Sequence, residues 1–131
     1  MATSFSSLFS TLSEDCYAAV LEFVGTTFFL FLGLGGIQAA AAESLSSALS
    51  TSGVQQVLYI STSMGLSLLV SSWLFFRVTG GSFNPNVSFA LLLVGVIGPV
   101  RFVLYCIAQL VGAIAASALI LALTPGPLAS K

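Results

Sequence analysis

The stretch whose residue types could do chemistry is Asn84-Pro85-Asn86, which follows the glycine pair Gly80-Gly81. Asn84 is a strong helix N-cap, and Pro85 fits the first helical position, where no amide donor is required. The two glycines permit a sharp turn and close approach of another backbone. The apolar run 87–96 that follows completes a short helix of about 11 residues, roughly 16 Å long at 1.5 Å per residue. That is near half of a bilayer core about 30 Å thick. A capped half-helix whose N-terminus lies at membrane depth is a device for lining a pore or a substrate site.

Glu22 is the second candidate. It is the one charge in an apolar run over 17–39, and a carboxylate within a spanning helix is costly unless it has partners. Two readings stand open. It lies only about one and a half turns into the helix, so it could reach water at the membrane edge. Alternatively it accepts backbone amide hydrogen bonds from a non-helical segment buried at the same depth. The sequence has no histidine, which excludes tri-His metal sites, His general bases and His proton relays. Cys16 and Cys106 lie at opposite ends and form no disulfide or metal pattern. Cys106, inside an apolar helix, reads as a small buried hydrophobe. No nucleophile–base pair or ligand cluster is present, so neither an enzyme nor a metal or cofactor is expected.

The elements that must position these residues are membrane helices. Of the 131 residues 57% are hydrophobic and 5% charged, with a mean hydropathy of +1.10, against about 25% charge in soluble domains. A net charge of −1 implies no nucleic-acid partner; lipid is the solvent. The predicted architecture is an all-α membrane protein with a polar tail over 1–16, spans over 17–39, 54–76 and 99–123, and a re-entrant loop and half-helix over 79–96. The tail has no basic start and is not a signal peptide. Residues 40–53 read as an exposed loop, and 128–131 form the C-terminal end. Trp73, Phe75, Phe76 and Arg77 suit the membrane interface. Gly112, Ala113, Ala116 and Ser117 make a small-residue face fit for close helix packing in lipid. Arg77 and Arg101 share a side with the tail, so the positive-inside rule puts the N-terminus in the cytoplasm of a multi-pass protein.

The order of these elements resembles the first half of an aquaporin, of the major intrinsic protein family, over residues 18–127. Leu21-Glu22-Phe23-Val24-Gly25-Thr26 looks like the family's acidic first-helix motif. The stretch from Thr79 to Ser88 looks like its Ser-Gly-x-x-x-Asn-Pro-Ala-Val-Thr loop, and the stretch from Val100 to Ile114 is similar to its third-helix signature. The resemblance implies a passive channel for water and small neutral solutes. Asn84 would cap the half-helix and turn its amide to a single file of water. The carbonyls of Gly80, Gly81, Ser82 and Phe83 would line one wall, Glu22 would hold the loop, and Met64 would stand at the selectivity filter. Phe29, Leu68 and Val87 would be apolar pore wall. Asn86 departs from the family's usual Ala, either as a tolerated substitution or as altered packing against the partner loop. The family fold has two inverted repeats and this sequence carries one. Gln109 and Gly112, expected at the repeat interface, would then lack a partner within the chain. The chain is expected to act as half a channel with a second half or an oligomer partner; the alternative is a truncated, non-conducting protein associating with full-length subunits.

Overall fold

The computed structural model describes residues 5–46, 53–124, 126 and 128. Regular structure among them is entirely α-helical: α1 (Phe5–Ser46), α2 (Gly53–Thr79), α3 (Pro85–Leu93) and α4 (Pro99–Leu123). Three helices are long and apolar enough to cross a membrane, over Thr11–Ser44, Gly53–Thr79 and Pro99–Leu123. The short α3 is the fourth.

Several boundaries differ from the sequence reading. Helix α1 begins at Phe5 and runs through the segment expected to be a polar tail. Its Ser and Thr residues are weak helix formers, but from Phe5 to Val24 no Gly or Pro interrupts the chain. Its start is also tied down, because buried Asp15 accepts from Arg101 Nε on α4 at 2.7 Å. At the other end the alanine run Ala39–Ala42 carries α1 on to Ser46. The first part of the expected 40–53 loop is therefore helix, and 47–52 lie outside the described residues. Helix α2 continues to Thr79, where Gly80 (φ 87°) donates back to Phe76 O at 3.1 Å. Helix α3 has nine residues rather than eleven. Gly95 (φ 76°) ends it by turning left-handed, its N–H reaching Leu92 O at 3.0 Å. Of the segment 128–131 only Leu128 is described.

Helix α1 is the middle of the bundle, with α2 and α4 both packed on it and α3 on α4. In lipid no hydrophobic force drives helices together, so close approach of small residues matters more. On the α2 side, a Cβ at Gly33 would overlap Met64 Sδ, and one at Gly36 would overlap Ser63. On the α4 side, a Cβ at Gly112 would lie 3.0 Å from Phe23 O and 3.1 Å from Thr26 Cβ. Ala18, Ala19, Tyr105 and Ala108 form a small buried core between α1 and α4. Gly112 therefore has a packing partner on α1 within the chain, contrary to the expectation that it would lack one.

Candidate functional site

Between α2 and α3 the backbone takes positive φ at Gly80 (87°), Gly81 (60°) and Phe83 (45°). The glycines adopt this without Cβ conflict. Gly81 also passes close to α2: a Cβ there would lie 3.4 Å from Ser72 Cα. The start of the loop is anchored by Tyr105, whose hydroxyl donates to Thr79 O at 2.9 Å, and by Gly81 N–H donating to Thr79 Oγ1 at 3.1 Å.

The middle of the loop hangs on Glu22. Its Oε1 accepts from Phe83 N at 2.5 Å, from Ser82 Oγ at 2.7 Å and from Gln109 Nε2 at 2.9 Å. Gln109 Nε2 also lies 3.1 Å from Ser82 Oγ and 2.9 Å from Ser88 Oγ, and the two serine hydroxyls are 3.0 Å apart. All four side chains are buried, Glu22 completely. Of the two readings left open for Glu22, the one at the water edge is excluded by this burial, and its partner is a non-helical backbone amide. The expectation that Gln109 lacks a partner within the chain is overturned. It sits on the face of α4 that looks at Glu22, one turn beyond Tyr105, and joins α1, the loop and α3. Three atoms in this cluster, Glu22 Oε2, Thr26 Oγ1 and Gln109 Oε1, find no hydrogen-bond partner among the described residues.

Asn84 opens α3. Its backbone is extended (φ −145°, ψ 127°), its Oδ1 accepts from Asn86 N at 2.9 Å, and Pro85 takes the first helical position. The cap occupies the oxygen, so the side-chain Nδ2 donors remain for something else. Asn84 and Asn86 are both exposed. A helix N-terminus also carries about half an elementary positive charge. The site therefore presents an oriented amide donor and a positive helix end beside each other.

The remaining expected residues are spread along α1, α2 and α3. Met64 is half-buried against Gly33. Phe29 stacks on Phe83, ring centroids 6.2 Å apart. Leu68 and Val87 are exposed. No group of three or more His, Cys, Asp or Glu that could hold a metal occurs among the described residues, and Cys106 is half-buried. The sequence reading missed Thr26, Ser88, Tyr105 and the Asp15–Arg101 pair. A signal existed for some of them: Glu22 and Thr26 are four residues apart, as are Tyr105 and Gln109, so each pair shares a helix face.

The Major intrinsic protein family model matches residues 10–131. The chain is 65% identical over 123 residues to two aquaporins of Laccaria bicolor, one of them Aquaporin-1, covering 93% of this chain and 40% of each relative. It is 50% identical over 107 residues to Aquaporin-2 of Botryotinia fuckeliana, covering 80% of this chain and 28% of that protein. The chain thus spans well under half the length of these relatives. With three apolar helices of spanning length, it is an integral membrane protein. It belongs to the major intrinsic protein family.

Proposed function

We propose that the chain forms the first half of a passive channel for water and small neutral solutes, and is not an enzyme. The observation that carries this reading is the state of Asn84. Its Oδ1 is committed to the cap of α3, while its Nδ2 donors stay free on an exposed side chain. In a pore such a donor binds a water oxygen, while the positive helix end beside it disfavours cations and hydronium. Asn84, Pro85 and Asn86 then form the pore motif, with Gly80, Gly81, Ser82 and Phe83 lining it by their carbonyls. Met64 stands at the filter, Phe29, Leu68 and Val87 form apolar wall, and Glu22 supports the loop. The relatives named as aquaporins support the same reading.

A second half completes the channel. Helix α3 packs on α4 alone among the four helices, and Val87, Phe89 and Leu93 are exposed. Loop polar groups left against hydrocarbon cost several kcal/mol each. By the positive-inside rule, Arg77 and Arg101 support a cytoplasmic N-terminal side. The test is Asn84→Leu in liposomes carrying the chain together with a second half. Osmotic water flux falls, or protons leak, because the oriented donor is lost. Unchanged water flux with unchanged proton exclusion would sink the role of Asn84.

A further inference from the structure

We propose that the Phe83 side chain is a positioning residue, a ring clamp against α1 and α2 that fixes where Asn84 points. The proposal deepens the channel reading and rests on it for the use of Asn84, but the clamp itself is a matter of loop geometry. Phe83 is the one non-glycine residue with positive φ among those described, at 45°. Sterics disfavour a bulky side chain in that region, and glycine would meet the backbone demand without conflict. Phenylalanine at this position implies that the ring does something glycine cannot.

The contacts say what. The ring is 4% exposed. It stacks on Phe29 of α1 with an interplanar angle of 27° and meets Phe75 of α2 edge-on, centroids 5.9 Å apart. It covers Gly25, where an added Cβ would overlap it, so the ring fills the space that the missing side chain leaves. At the same residue the backbone N–H is held by Glu22. Phe83 is therefore fixed by an acceptor at its amide, a floor on α1 and an edge on α2. The next residue is the cap of α3, so any rotation at Phe83 swings Asn84. Buried as it is, the ring itself has no surface to offer a permeating solute.

The test uses the full 131-residue chain in detergent micelles with its asparagines labelled for nuclear magnetic resonance. Two signals are read: the Asn84 side-chain amide and the exchange rate of the Asn86 amide that donates to it. Phe83→Gly relieves the backbone yet shifts the Asn84 resonance and speeds Asn86 exchange about tenfold, since the cap is no longer held in register. Gly25→Ala pushes the ring from its seat and moves the same two signals. The double variant is no worse than Phe83→Gly alone, because the overlap at Gly25 is with the ring. The other close contact of the new Cβ, 3.2 Å from Phe75 Cγ, is against a side chain that the missing ring leaves room to move. Unmoved signals in Phe83→Gly, or effects of the two changes that add, overturn the clamp. Should Phe83→Gly lose its helical circular dichroism, Gly25→Ala decides alone: a shifted Asn84 resonance supports the clamp and an unmoved one overturns it. Both signals come from the loop, so a chain that conducts no water still decides the point.

Discussion

Replacing Glu22 by leucine and by glutamine separates the acceptor from everything else the residue brings. In the leucine variant three donors lose Oε1 at once, but they do not suffer equally. Ser82 Oγ and Gln109 Nε2 keep each other and Ser88 Oγ. Phe83 N–H has no such second partner: among the described residues its acceptor is Glu22 Oε1 alone, and it is a buried backbone donor. Leaving one buried donor unpaired costs about 1–3 kcal/mol, and this is the dominant loss. Glutamine keeps an oxygen where Oε1 stands and places an NH2 where Oε2 stands. Oε2 has no partner among the described residues, and neither have the acceptors Gln109 Oε1 and Thr26 Oγ1 of the same cluster. Glutamine thus keeps the acceptor for Phe83 N–H and removes the buried charge along with the unpartnered Oε2, so Glu22→Gln stays within about 1 kcal/mol of the parent. The assay is thermal unfolding in detergent together with hydrogen exchange of the Phe83 amide. Glu22→Leu unfolds earlier and exchanges that amide fast; Glu22→Gln does neither. Equal damage from both variants, or a Phe83 amide still protected in Glu22→Leu, would refute the reasoning.

Three further outcomes follow from the packing. Gly36→Ala drives a Cβ into Ser63 and lowers stability by about 1–3 kcal/mol, whereas Gly65→Ala, with open space at its Cβ, gains up to about 1 kcal/mol of helix propensity; paired melting curves check both, and equal effects contradict the α1–α2 contact. Gln109→Leu destabilises the chain by itself by about 1–3 kcal/mol, with no second half present; an unchanged melting point would return Gln109 to an inter-repeat role. Arg101→Ala strands buried Asp15, whose side chain is 9% exposed against 33% for Arg101. The loss is about 1–2 kcal/mol, between exposed and buried pairs, and Arg101→Ala with Asp15→Asn recovers most of it in the same unfolding assay.

What was legible in the sequence is what local chemistry decides. Long apolar runs with few charges give the three spanning helices. An Asn-Pro pair after two glycines gives the cap, the loop and the half-helix. Helix ends were less legible where nothing forbids continuation. The Ser- and Thr-rich start of α1 and the alanines at its end contain no breaker, and the Asp15–Arg101 pair that stabilises the start joins residues 86 apart. The centre of the site was half legible. Glu22 announces itself as a charge needing partners, and a buried non-helical amide was one of its two readings. That Gln109, 87 residues on, shares its Oε1 could not be read from spacing, nor could the seat of the Phe83 ring on Gly25. Both depend on how α1 meets α4 and α2, which small residues permit but do not specify.

The measurement that tests the central claim most directly is osmotic shrinkage of liposomes followed by stopped-flow scattering. The chain is reconstituted alone, and beside a second half taken from the remaining length of the Laccaria bicolor Aquaporin-1, with incorporation confirmed in each case. The account predicts the empty-vesicle rate for the chain alone and fast shrinkage with a low activation energy when both halves are present. Shrinkage at the empty-vesicle rate in both cases would contradict it and favour a non-conducting membrane protein. Fast shrinkage from the chain alone would contradict the need for a second, different half and point to self-association into a complete pore.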